Sequence, residues 1–290
     1  MNDWVLGALG ISGSLLVAVL IAWAGGSYSA MAAGWPVFVL CGVFAYLVQW
    51  VMFVHAWVKK TEHFYDLTGS ATYIVMVVSG ALLAGTSDPR SLLLVALIVV
   101  WALRLGPFLF FRVRKAGEDR RFRSIKASFP VFLMTWTLQG TWVFITASCA
   151  LAAITSQQSV PIGTPFWLGL ALWVVGFVIE VTADQQKTAF RALPENADKF
   201  ITSGLWAWSR HPNYFGEIVL WLGIAVMAYP VLVGWQLATL ISPLFVVVLL
   251  TFISGVRMLE NRANKAWGDD PDYQAYKRST PVLMLWPPRS

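Results

Sequence analysis

Long apolar stretches separated by short polar clusters dominate the chain. Eight runs stand out, over residues 4–24, 35–58, 69–85, 91–111, 129–155, 164–183, 214–229 and 231–256. A bilayer core about 30 Å thick takes about 20 helical residues at roughly 1.5 Å each, so these runs match membrane-crossing helices. The third and seventh are short enough to tilt into protein rather than lipid. Uninterrupted apolar stretches disfavour a lipid-facing barrel, whose strands would alternate, so backbone hydrogen bonds inside lipid must close within helices. The pattern therefore predicts an all-α, polytopic membrane helical bundle of about seven to eight transmembrane helices. Asp3 rather than a lysine cluster precedes the first run, and no small-residue cleavage site leads into a polar domain, so that run is read as a helix and not a signal peptide.

Composition narrows the alternatives. The chain is 58% hydrophobic and 12% charged, where soluble domains carry about a quarter charged residues. Sixteen Trp and eighteen Phe exclude a disordered chain, and two cysteines, Cys41 and Cys149, both inside apolar runs, exclude a disulfide-built module. With the amino terminus inside, alternation puts every Lys and Arg except Arg90 and Arg104 on the cytoplasmic side. This predicts an N-in/C-in topology. It also assigns the net charge of +6 to membrane orientation and the anionic leaflet rather than to nucleic acid. Residues 1–58 read as nearly featureless apolar helices, while polar residues inside or beside helices accumulate from Asp66 onward. Function is therefore expected in 59–290, read as one integral domain.

Ionisable residues at membrane depth are costly and are functional candidates by default, with pairing to a neighbouring helix as the competing explanation. Glu180, Asp184, Lys187 and Arg191 share one helical face that runs from the membrane to the interface. Ser203 to Glu217 passes from a polar turn into the seventh helix. Gly204 permits a tight entry and Pro212 suits a first helical turn. Asn213 and Glu217 then lie one turn apart, and Arg210 offers a planar fork of donors for a phosphate. His211 reads either as a structural capping residue or as an acid–base group. The three histidines and two cysteines lack ligand spacing, so no metal is expected. Neither of the glycine-rich phosphate loops of soluble nucleotide-binding proteins is present, nor is a G-x-S-x-G elbow.

GLWAWSRHPNYFGE resembles the signature of the steroid 5-alpha-reductase superfamily, most closely its bacterial branch known as a domain of unknown function. ADQQKTAFR, KAGEDRRFR and LENRANKAWGDDPDYQAYKRSTPVLMLWPP agree in order and spacing, so the resemblance covers roughly residues 60–290. It implies a helical cavity in the cytoplasmic half of the membrane that holds NADPH, with a hydrophobic substrate entering from the bilayer. By the same resemblance Arg104, Asp184, Arg191, Asn213, Glu217 and Arg257 match cofactor-binding positions. Glu180 stands where the animal enzymes have asparagine, Lys199 at a family arginine and Asn261 at a family histidine. Arg210 joins them as a phosphate-side cation.

Catalysis departs from the family pattern. The family's carbonyl-polarising tyrosine falls at Trp101, whose indole only donates, and its glutamate falls near Asp66, with Tyr73 two turns later as a substitute acid. Asp66 paired with Lys60 as an ordinary juxtamembrane residue is the alternative. A bacterial inner membrane, or an endoplasmic-reticulum membrane in a eukaryote, is the expected location. Membrane methyltransferases that use S-adenosylmethionine share the arginine-histidine-proline core, and a non-catalytic lipid-binding protein is the third reading.

Overall fold

The computed structural model describes residues 2–287. Helix dominates, as the apolar runs predict. In chain order the main elements are α1 (Asp3–Gly26), the short antiparallel hairpin β1 (Met31–Ala32) and β2 (Trp35–Pro36), α2 (Val37–Lys59), α3 (Tyr65–Ala84), α4 (Pro89–Ala116), α5 (Phe122–Ile125), α6 (Phe129–Ile154), α7 (Thr164–Ala192), α8 (Pro212–Ala228), α9 (Ile241–Val248), α10 (Val256–Trp267) and α11 (Pro271–Ser279). Among the described residues eight helical segments are long and apolar enough to cross a membrane. This is a multi-pass, all-α membrane protein.

Local chemistry sets the helix ends. Asn2 accepts from the Trp4 amide, Asp88 from the Ser91 amide and Asp270 from the Asp272 amide, each satisfying a donor that the first turn leaves orphaned. Prolines in the first turns of α4, α6 and α11 sit where a missing N–H costs nothing. Gly85, at φ +63°, closes α3 in the left-handed conformation that only glycine adopts freely.

The chain divides into two compact units. The first comprises the residues up to Phe166 together with Met227–Ser242. Its centre is α6, which packs against α1, α2, α3 and α4 and is buried over 89% of its most apolar window. Glycines on the surrounding helices let it approach closely: Gly42 faces Phe144, Gly69 faces Gln139 and Gly80 faces Leu151. Since lipid offers no hydrophobic drive between helices, packing and polar contacts must hold this unit together. The Tyr46 hydroxyl bonds Thr141 Oγ1 at 2.8 Å, Gln49 Nε2 donates to Thr72 Oγ1 at 2.8 Å and Trp50 Nε1 to Thr137 Oγ1 at 3.1 Å.

The second unit comprises Trp167–Val226 and the residues from Pro243 onward. Here α7 and α8 meet backbone to backbone. A Cβ at Gly176 would lie 2.5 Å from Gly216 O, one at Gly216 would lie 2.6 Å from Glu180 N, and one at Gly223 would lie 2.5 Å from Gly169 O. Glycines seven residues apart on both helices make this seam. No larger side chain fits there.

One predicted helix is not a single helix. The run over 231–256 becomes a 3-10 turn at Gly234–Leu240, then α9, then a π-helical turn at Leu249–Ile253, before the chain breaks and restarts as α10. Pro243 lies in the first turn of α9. At the break, a Cβ on Gly255 would overlap the Leu250 carbonyl and reach the Tyr214 ring, so only glycine fits.

Candidate functional site

The sequence-derived residues fall into two groups, one in each unit. In the first unit, α3 and α4 approach closely because Gly106 faces Ser70. That contact brings Tyr73 and Trp101 together: both are buried, with ring centroids 5.1 Å apart and planes at 88°. Edge-to-face packing of this kind fixes the orientation of both rings. Asp66 lies at the other end of the same stretch of α3, within the fields of Arg112 and Arg121. Arg104, three residues after Trp101, is half-buried with its guanidinium 5.1 Å from the Phe108 ring.

The basic loop between α4 and α6 has a buried counter-charge that the sequence reading missed. Glu62, 3% exposed, accepts from the Asp119 amide at 2.9 Å and from Lys126 Nζ at 2.6 Å. Asp119 in turn holds Arg121. Burial opposes the Asp119 charge, but the hydrogen bond and field of Arg121 outweigh it and keep the carboxyl below its usual range. Lys60, the partner of Asp66 in the alternative juxtamembrane reading, stands over the Trp57 ring at 2.8 Å.

In the second unit, α7 continues to Ala192, so Glu180, Asp184, Lys187 and Arg191 do share one helical face. Glu180 and Asp184 are buried. The glycine seam sets the Glu180 backbone against Gly216 of α8, the helix that carries the half-buried Asn213 and Glu217. Gly204, at φ +61°, turns the chain beside Gln186, whose Oε1 accepts from the Leu205 amide at 2.9 Å. Trp206 then packs inward and donates to the Ala183 carbonyl at 3.0 Å.

A hollow of about 300 Å³ opens among α7, α10, α11 and the segment before α8. Lys187, Arg191, Arg210 and Arg262 line it, together with the aromatic rings of Trp206, Trp267, Tyr273 and Tyr276. Lys187 stands over Trp206 at 4.3 Å and Arg191 over Trp267 at 5.8 Å. Glu260, the single acidic residue of α10, organises the wall: Arg210 Nη1 donates to its Oε2 at 2.6 Å, and His211 Nε2 meets its Oε1 at 3.0 Å.

His211 thus has a carboxylate partner that its sequence neighbours do not reveal. Its main chain takes the cap position, accepting from the Phe215 amide at 3.2 Å, while its ring points to Glu260. Burial lowers the His211 pKa below the ordinary value of 6.5, only partly offset by the Glu260 hydrogen bond. Arg210 Nε and His211 Nδ1 are buried without a hydrogen-bond partner.

Arg257 and Asn261 do not join Arg191 and Arg210 in this hollow. They line a separate, open groove of about 440 Å³ with Lys265. Arg262 borders both spaces, so α10 carries cations into each. Lys199 is exposed in the loop after α7 and lines neither. Two signals in the sequence pointed to what was missed. Glycines at 169, 176, 216 and 223 form two matched seven-residue spacings, and Glu260 sits in the quoted LENRANKAW stretch.

A multi-pass helical bundle with these two polar clusters defines a class of membrane protein whose candidate chemistry lies in the helices after residue 58. The chain matches the family model described as "Protein of unknown function (DUF1295)" over residues 51–280. It belongs to that family, which is steroid 5-alpha-reductase-like. The chain is 24% identical over 179 residues to an uncharacterised protein of Schizosaccharomyces pombe, covering 51% of this chain and 52% of that one. It is 36% identical over 80 residues to 3-oxo-5-alpha-steroid 4-dehydrogenase 1 of Mus musculus, covering 28% and 29%. To the steroid 5-alpha-reductase DET2 of Gossypium hirsutum it is 38% identical over 64 residues, covering 22% and 25%. The chain thus spans about half or less of the length of these curated relatives. No solved structure gives a significant match.

Proposed function

We propose that this protein is a membrane-embedded, NADPH-dependent reductase of an activated, enone-type double bond in a steroid-like or other hydrophobic lipid that enters from the bilayer. The observation that carries this reading is the hollow of the second unit, where four cations surround one carboxylate between aromatic walls. Such a donor set suits a phosphate-rich, aromatic dinucleotide. The buried, unpartnered Arg210 Nε and His211 Nδ1 add two polar positions for it. S-adenosylmethionine has no phosphate and would make less use of these cations. The family's resemblance to reductases supports the same choice.

When bound, NADPH supplies the hydride. The chain's own residues then divide the remaining work. Arg191 and Arg210 hold phosphate by charge-assisted hydrogen bonds, while Arg257, Asn261 and Lys199 extend the positive surface around α10. Glu180, Asp184, Asn213 and Glu217, presented by the α7–α8 seam, orient the ribose and nicotinamide. Tyr73 donates a hydrogen bond to the substrate carbonyl, with Trp101 fixing its ring and Asp66 as the carboxylate two turns away on α3. Reduction then consists of hydride arriving at the far carbon and a proton at its neighbour. The functional core is residues 59–290.

The test is titration of the detergent-purified full chain with NADPH and, separately, with S-adenosylmethionine. Selective NADPH binding that weakens at least about tenfold in Arg191→Ala and in Arg210→Ala is expected, a loss of about 1.4 kcal/mol or more. Selective binding of S-adenosylmethionine would instead reassign the site to methyl transfer, and binding of neither would leave a lipid-binding protein.

A further inference from the structure

The 280–287 segment forms no helix, yet it is tied at three points to the stretch that leads into α8. The Arg210 amide donates to the Pro281 carbonyl at 2.9 Å, Ser209 Oγ to the Leu283 carbonyl at 2.8 Å, and the Trp286 amide to the Trp208 carbonyl at 3.1 Å. As the segment advances from 281 to 286, its partners retreat from 210 to 208, so the two stretches run in opposite directions. Burial alternates along it. Leu283 and Leu285 are half-buried, whereas Val282, Met284 and Trp286 are 39%, 61% and 65% exposed. Trp208, across the pairing, is 47% exposed. Two tryptophans, a methionine and a valine therefore form an apolar ridge on an otherwise polar end of this unit.

Position identifies what covers the ridge. The membrane-spanning helix α8 starts at Pro212, two residues beyond Arg210, so a segment bonded to 208–210 lies where the chain enters the bilayer. Tryptophan concentrates at that depth because its ring is apolar and its N–H is polar. The exposed Arg278, two residues before the segment, supplies the charge that phospholipid headgroups attract. We propose that residues 280–287 are an interfacial strap, seated by Val282, Met284 and Trp286 in the headgroup layer and holding the Arg210–His211 segment at a fixed depth through its main chain.

Cys41 and Cys149 are fully buried, so a new surface thiol can be labelled selectively. Met284→Cys and, as a second position, Val282→Cys in the full chain are labelled with a nitrobenzoxadiazole maleimide and reconstituted in phosphatidylcholine–phosphatidylglycerol vesicles. Ala275→Cys, on the exposed side of α11, is the control. Nitroxide lipids spin-labelled at the headgroup or upper acyl chain should quench the 282 and 284 labels severalfold more than the control, and aqueous iodide should quench them severalfold less. Labels at 282 and 284 that iodide reaches as readily as the control would overturn the strap. Labels shielded from both quenchers would overturn it too, since protein rather than lipid would then cover the ridge.

Discussion

Gly216→Ala isolates the seam between α7 and α8. The added methyl carbon would lie 2.6 Å from Glu180 N and from Gly176 O and 3.0 Å from Glu180 Cα. All three are backbone atoms, which cannot swing aside as a side chain would. Restoring ordinary contact requires the helices to part locally by roughly 1 Å, and overpacking of this kind costs about 1–3 kcal/mol. Replacing glycine by alanine inside a helix returns up to about 1 kcal/mol, because the unfolded chain loses freedom. The net expectation is a destabilisation of up to about 2 kcal/mol.

The same substitution at Gly13 of α1, where no atom lies within 4 Å of the added carbon, should give only the propensity gain of about 0.5–1 kcal/mol. Thermal unfolding in detergent, followed by tryptophan fluorescence, compares the two variants. At about 2–4 °C per kcal/mol for a chain of this class of size, the midpoints should move in opposite directions. A Gly216→Ala midpoint equal to that of Gly13→Ala would refute the backbone-contact reasoning. The seam also carries Glu180 on one side and Asn213 and Glu217 on the other. Under the proposed function, a shift of roughly 1 Å there should slow turnover well beyond the stability change, because positioning errors of that size cost up to about a hundredfold in rate.

Three further outcomes follow from the geometry. Glu62→Ala removes the buried partner of Lys126 and of the Asp119 amide and should cost about 1–3 kcal/mol; limited proteolysis should then cut the loop between α4 and α6 faster, whereas unchanged cleavage would show that the ion pair does not hold it. His211 has a folded-state pKa below its ordinary 6.5, so the unfolded chain takes up its proton first as pH falls. Its neutral form therefore supports stability above about pH 6.5, and that support declines between 6.5 and the lower folded value; His211→Gln should flatten the pH dependence of unfolding in that window, and an unaltered profile would exclude the histidine as its source. Tyr73→Phe keeps the ring against Trp101 but removes the hydroxyl, so turnover of an identified lipid substrate should fall by about a hundredfold or more with NADPH affinity preserved; equal turnover would remove Tyr73 from the chemistry.

The fold was largely legible because lipid imposes length and polarity on each crossing. Seven of the eight apolar runs correspond to helices whose cores agree with the pattern. The eighth is also a candidate span, but its winding changes from 3-10 to α to π, which hydropathy cannot register when nearly every residue stays apolar; the lack of space at Gly255 marks the break. The candidate site was legible wherever spacing alone brings residues together, as on the α7 face from Glu180 to Arg191. It was not legible where tertiary contact decides. The His211–Glu260 pair spans 49 residues, and the assignment of Arg257 and Asn261 to a groove apart from Arg191 depends on which side of α10 each faces. Glu62 hid for a different reason: next to basic residues it reads as a solvated charge, and only its burial gives it a role.

The central place of α6 bears on how the protein is made. With a mean hydropathy of 1.4, it is the least apolar of the eight candidate spans, against 2.3 and 2.4 for α2 and α1. Polar side chains that would cost free energy in lipid find partners on other segments: Thr137 on Trp50, Thr141 on Tyr46, Gln139 Nε2 on the Tyr65 carbonyl and Ser148 on the Thr239 carbonyl. Such a segment partitions weakly when it leaves the translocon alone. Four spans precede it in the chain, and α1 to α4 are the helices that surround it. Biogenesis is thus expected to depend on order: the earlier helices must wait in the membrane, loosely associated, until α6 arrives to fill the space between them. A lesion that weakens α1 or α2 should therefore appear as failed insertion of α6, far downstream of the altered residue.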